Sequence, residues 1–173
     1  LKCYNNCKND EVINMSESER IYHVMLSMKK FEFESISLET SDMDWNSKGL
    51  GQIKTEVVEN KIIFNETIEL DDEFGDTELK DKKMWVFYEG KIEFWHFRNG
   101  SYQKIFAFLT DQEKIVLEKK YDCKPDVYLG GLTLLEDRLI FTIEIQNSTI
   151  DIHHENHRKK ERITYTYFRN DKN

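Results

Sequence analysis

Two periods of apolar residues divide the chain, one of helical spacing before residue 30 and one of strict alternation after it. Ser16, with Glu19 three places on, forms an S-x-x-E capping box, and Ile21, Val24, Met25 and Met28 follow at helical intervals. This predicts one helix over residues 17–29, with a single apolar stripe to lay against a sheet. From Phe31 onward, alternation predicts strands near 31–40, 50–58, 61–70, 83–89, 92–98, 102–109, 114–121, 126–135, 138–146 and 161–168. The clearest is 138–146, where Leu139, Phe141, Ile143 and Ile145 share one face and Arg138, Thr142, Glu144 and Gln146 the other. Turn-forming pairs separate the runs: Glu59-Asn60, Asn99-Gly100, Asp111-Gln112 and Glu136-Asp137. Asn-Gly is the strongest hairpin signal, because both residues accept positive φ.

Short connections make each strand pair with the next, and no helix of crossover length interrupts them, which excludes parallel βαβ units. The expected fold is therefore all-β: an antiparallel up-and-down meander forming a lipocalin-like (calycin) barrel with one N-terminal helix. Closure removes the edges that so many strands would otherwise expose; an open sandwich is the alternative. One Pro and seven Gly in 173 residues leave little for linkers. The expected organisation is a flexible arm over 1–15 and one barrel domain over 16–173.

Composition and short motifs change this picture in several ways. Eleven Phe, eight Tyr and three Trp supply the apolar area for a core despite 34% charged residues. A net charge of −8 argues against general nucleic-acid binding, since an acidic domain gains nothing by displacing the counterions of phosphates. Apolar runs are too short for a membrane span. Cys3, Cys7 and Cys123 are an odd number without a disulfide framework or a complete zinc set, which favours a reducing, intracellular compartment. The N-x-S/T triplets at Asn14, Asn65, Asn99 and Asn147 point the other way, though a chain this rich in Asn, Ser and Thr produces such triplets by chance.

Few positions carry chemistry. In 61–70, Glu66 interrupts the apolar face made by Ile62, Phe64, Ile68 and Leu70. A buried carboxylate must be paired, protonated or wet, so Glu66 meets either an inward Lys or Arg or a ligand cavity. A cationic partner would lower its pKa, and a dry cavity would raise it. The segment Tyr121-Asp122-Cys123-Lys124-Pro125-Asp126-Val127-Tyr128 joins two strands at a proline and is either a plain corner or a cluster of polar groups. Tyr121 and Cys123 are expected on the face of Ile115 and Leu117, and no spacing supplies Cys123 with a base. The cluster His153-His154-Glu155-Asn156-His157 lacks a metal-binding order and runs into Arg158, Lys159 and Lys160, so no metal and no cofactor is expected. Those cations with Arg162 make a solvated tip or a local anion site. The acidic run Asp71–Asp76 lacks the order of a calcium loop.

In order along the chain, Gly51-Gln52-Ile53, Phe64-Asn65-Glu66-Thr67-Ile68, Phe97-Arg98-Asn99-Gly100, Tyr121 to Tyr128, and Asn156-His157-Arg158-Lys159-Lys160-Glu161, followed by Tyr167 and Arg169, resemble one family. It is an uncharacterised lipocalin-like family, a domain of unknown function with H-x-C-x-x-D-x-Y and R-K-D motifs. The resemblance covers about residues 49–169. Tyr121 stands where the family has histidine, and the family's Gly-Pro before Arg158-Lys159 is missing. The resemblance implies a lipocalin-like barrel and brings no activity with it.

The leading functional expectation is a barrel that binds a small ligand in its interior or mouth, with Glu66, Tyr121, Cys123, Asp126, Tyr128 and Arg158 as candidate contacts. A non-catalytic accessory subunit with a protein partner is the alternative. A small barrel enzyme using Glu66 as general acid or base is the third.

Overall fold

A computed structural model describes residues 15–38, 46–72, 75–118, 121–123, 126–150 and 156–169, and of 72, 75–76, 121–123, 126, 147–150 and 156–159 the backbone alone. The chain order is α1 (Glu17–Ser27), β1 (Lys30–Ser37), β2 (Ser47–Val58), β3 (Lys61–Asp72), β4 (Gly75–Tyr88), β5 (Lys91–Arg98) and β6 (Ser101–Leu109). It continues with β7 (Val116–Leu117), β8 (Tyr121–Cys123), β9 (Asp126–Leu134), β10 (Arg138–Ile150) and β11 (Asn156–Phe168). All are antiparallel members of one sheet, in the order β7-β6-β5-β4-β3-β2-β1-β11-β10-β9-β8. The expected meander is thus present, and the first and last strands are hydrogen-bonded, Phe31 opposite Tyr167.

The sheet nearly closes on itself, with β6 and β7 coming against β9 without strand pairing. Gly130 of β9 marks that approach: a Cβ there would lie 2.4 Å from the Phe106 ring, so only glycine fits. The gap falls here because β7 holds only two residues. A continuous strand over 114–121 was expected, with Tyr121 and Cys123 on the face of Leu117. The chain instead forms β7 and then β8, which pairs with β9. Glu118-Lys119-Lys120 between them offers no apolar side chain to bury.

Helix α1 forms as its pattern dictates. Ser16 Oγ accepts from the Glu19 N–H, and Ile21, Val24, Met25 and Met28 are all buried. Met28 already has an extended backbone, so the helix ends two residues sooner than expected and leads into β1. Tyr22 packs edge-on against Phe87, and the Ser18 hydroxyl donates to the Tyr88 carbonyl, which seats α1 over that end of β4. This helix is too short and too polar to cross a membrane, as are all helical segments among the described residues.

Inside, rings fill the space beside α1. Phe31, Phe64, Trp85, Phe94, Phe141, Tyr165 and Tyr167 are at most 4% exposed, with ring centroids mostly 5–6 Å apart. At the Asn99-Gly100 turn both residues have positive φ, as a two-residue hairpin of this hand requires.

A second large difference from the expected strand lengths lies in β4, which starts at Gly75 rather than at 83. Its first half, Gly75–Lys82, pairs fully with β3 although it is almost wholly polar. Of these residues Asp81 joins the polar groups inside the barrel, while Glu78, Lys80 and Lys82 lie on the outer face.

Candidate functional site

Alternation along β3 turns Glu66 inward, between Phe64 and Ile68. Its side chain has no exposed surface. Directly across the β3–β4 pair stands Asp81, and two residues further along the same face of β4 stands Lys83, equally enclosed. On β5, Ile92 and Phe94 lead along the inner face to His96 and Arg98, with Lys83 opposite His96. Tyr128 enters from β9 and Tyr167 from β11.

These seven side chains form one hydrogen-bonded series across the barrel. Tyr167 donates its hydroxyl to Glu66 Oε2 at 2.6 Å, and Lys83 Nζ donates to Glu66 Oε1. The same ammonium donates to Asp81 Oδ2 at 2.8 Å and lies 3.8 Å from the centroid of the Tyr165 ring. Asp81 Oδ1 is 2.5 Å from His96 Nε2, while Arg98 Nε donates to His96 Nδ1 at 2.8 Å. An arginine N–H can only donate, so His96 Nδ1 holds a lone pair and the ring proton sits on Nε2, directed at Asp81. Arg98 Nη1 donates to the Tyr128 hydroxyl at 2.5 Å, and the guanidinium lies over the Tyr128 ring.

Electrostatics grade along the series. Burial pushes the Glu66 carboxyl above the usual carboxylate range, against the pull of Lys83 and of its two hydrogen bonds. Burial works the same way on Asp81, but Lys83 and His96 outweigh it and hold Asp81 well below its ordinary value. Burial alone would discharge Lys83; Glu66, Tyr165 and Asp81 overcome it and keep the ammonium charged. One cation thus serves two carboxylates, and Glu66, the more deeply buried, is the one that takes up a proton first. A cationic partner was expected to lower the pKa of Glu66. The partner is there, and the cost of enclosing the carboxylate exceeds what it returns.

Exposure grades too, from none at Glu66 and Lys83 to 20% at the side chains of Asp81 and His96. Arg98 is half-buried at the end of the series. A guanidinium has five N–H donors, and His96 and Tyr128 take two of them. The rest have no partner among the described residues.

Of the candidate contacts, Glu66 and Tyr128 both belong to this series, joined through four residues that were not among the candidates. Tyr121 lies opposite Tyr128 and Cys123 opposite Asp126 in the β8–β9 ladder, and Arg158 lies opposite Ser148 on β11. The side chains of Tyr121, Cys123, Asp126 and Arg158 lie outside the described residues, as do Cys3, Cys7 and the side chains of the histidine cluster. Asp81 lies before the expected strand 83–89 and Lys83 at its first position, where a charged side chain gives no apolar signal for an inward face. His96 and Arg98 were accessible: they continue the alternation of Ile92 and Phe94. A second enclosed carboxylate, Glu161 on β11, accepts a 2.6 Å bond from Ser37 Oγ.

Comparison of the chain with family models, with curated proteins and with solved structures found no match. What the geometry defines is an all-β barrel with an ionised, hydrogen-bonded interior.

Proposed function

We propose that this is a lipocalin-like binding barrel whose small ligand presents a carboxylate, amide or carbonyl oxygen to Arg98 at the polar end of the interior. The observation that carries the reading is the series Glu66–Lys83–Asp81–His96–Arg98–Tyr128, which ends on unspent guanidinium N–H donors. Buried ion pairs contribute little to stability compared with well-packed apolar side chains of similar size. A barrel already filled by rings does not need one to fold. Each member instead fixes the next: Glu66 and Lys83 hold Asp81, Asp81 fixes the tautomer of His96, and His96 orients Arg98. Rigid placement of one polar group in an apolar setting is what a small-ligand site requires. The β8–β9 hairpin brings Tyr121, Cys123 and Asp126 into register with Tyr128, and these would complete the proposed mouth; Arg158, paired with Ser148, is out of step with that face and is not part of it.

A general acid–base role for Glu66 gains no support from a carboxylate with no exposed surface; it acts through Lys83. The reading of a non-catalytic accessory subunit draws on one observation, the ring-filled interior beside α1, which leaves the polar end as the place for a ligand.

Native mass spectrometry of the full chain with a panel of small carboxylates and amides tests the proposal. Saturable adducts that Arg98→Met weakens while the fold is retained are expected. Adducts equally abundant in both proteins, or none in either, would overturn it.

A further inference from the structure

On the outer face of the same strands the charge pattern reverses that of the chain as a whole. Lys30, Gln52, Thr67 and Lys80 form one row across β1 to β4, and Lys54, Asn65 and Lys82 form the next across β2 to β4. With Lys29 they line a groove of about 880 Å³, walled by Leu26 and Phe97. Five lysines thus face one concavity in a chain of net charge −8. Among the described residues none of the five is paired with a carboxylate. Glu66 and Asp81 also border the groove, but their side chains belong to the inner face, where Lys83 engages them.

Neighbouring strands lie about 4.8 Å apart, so these ammonium groups are close enough for long stems to converge on one ligand. Lys30 and Lys80 stand three strands apart in their row and Lys54 and Lys82 two strands apart, about 14 and 10 Å, spans that a ligand with several anionic groups can bridge. The residues between them, Gln52, Thr67 and Asn65, are neutral hydrogen-bonding groups rather than counter-charges. One lysine is already aimed: Lys82 Nζ lies 5.5 Å from the Phe97 ring centroid and 5.8 Å from that of Tyr102, whose rings meet edge to face. Phe97 keeps 39% exposure and offers a flat apolar shelf.

The next row fixes the size of the occupant. Beyond Lys30 and Lys80 come Glu32, Leu50, Glu69 and Glu78, in register across β1 to β4. An extended polyanion running along the strands would meet this carboxylate row, whereas a compact one stays within the lysines.

We propose that the groove is a second binding site, for a compact small molecule bearing several phosphate groups, held by Lys30, Lys54, Lys80 and Lys82 with Phe97 as a shelf. It is independent of the interior series and uses the opposite face of the strands.

The test is calorimetric titration of the full chain with inorganic tripolyphosphate, with orthophosphate as the weaker arm. One-to-one binding is expected that Lys80→Gln with Lys82→Gln weakens about tenfold or more, as the loss of two charge-assisted hydrogen bonds implies. The double arginine variant at those positions should restore it, and Lys91→Gln, outside the groove, should leave it unchanged. Three results would overturn the proposal: no saturable binding, equal loss in Lys91→Gln, or tighter binding of a single-stranded oligonucleotide or an acidic peptide than of tripolyphosphate.

Discussion

The two halves of the barrel interior solve the same packing problem in opposite ways. Beside α1, Phe31, Phe64, Trp85, Phe94 and Phe141 fill the volume by ring-on-ring contact, and each needs only shape from its neighbours. Further along β3, β4 and β5 the inner positions become Glu66, Lys83, Asp81, His96 and Arg98, and each needs a particular atom from the next. The first half tolerates exchange among residues of similar size. The second is destabilised most by loss of Lys83, because the carboxylates it leaves behind are enclosed. Placing such a series where rings would pack is a cost in stability, and a binding site is the reason to carry it.

Substitutions in the two halves should differ accordingly. Phe141→Ala removes a ring that meets Trp85, Phe94, Phe106, Phe108 and Tyr165 and should cost about 5 kcal/mol, read from urea denaturation. Phe141→Leu should recover most of that, as a shape-only requirement demands. Lys83→Met keeps the volume but strands two carboxylates, and should cost about 3–4 kcal/mol by the same measurement. If Lys83→Met proved harmless, the polar half would be as interchangeable as the aromatic one. Gly130→Ala forces a Cβ against Phe106 where the sheet ends meet and should cost about 2 kcal/mol.

The smallest expected effect is the most diagnostic. Glu66→Gln keeps the shape and an acceptor for Lys83, and should change stability at neutral pH by about 1 kcal/mol or less. It should alter the pH dependence more. Glu66 binds its proton more tightly folded than unfolded, so its contribution to stability falls as pH rises from 4.5 toward its folded value. Asp81 has the opposite sign: what it contributes above pH 3.8 is lost as pH drops toward its depressed folded value. Denaturation midpoints across this range should therefore lose their fall above pH 4.5 in Glu66→Gln and keep their fall at acid pH. An unchanged profile would mean Glu66 is not the carboxyl that burial perturbs.

How much of this could be read from the sequence follows the same division. Leu139, Phe141, Ile143 and Ile145 were placed on a buried face by alternation alone, and all four are buried, because apolar alternation has one physical cause. Glu66 stood out by breaking such a pattern. Its partners did not, since the pattern has no symbol for a lysine that faces inward: Lys82 and Lys83 are neighbours in sequence, one on the outer groove and one wholly enclosed. The early start of β4 was missed because Gly75–Lys82 is almost wholly polar and shows no apolar alternation. The split of the expected 114–121 strand into β7 and β8 reflects a short charged interval that propensity does not resolve. Ligand contacts at Tyr121, Cys123 and Asp126 rest on the family resemblance and on strand register, whereas Arg158 rests on the resemblance alone.

The most direct measurement is the stability and ligand adduct formation of a triple variant, Glu66→Leu with Asp81→Asn and Lys83→Met. It removes the enclosed ammonium together with both carboxylates and leaves no charge stranded. If the series is kept for binding, this protein should be as stable as the native chain or more so, by up to about 4 kcal/mol, and should lose the adducts that depend on Arg98. A triple variant as unstable as Lys83→Met alone, or one that still forms those adducts, would show that the series is part of the frame and not of a site.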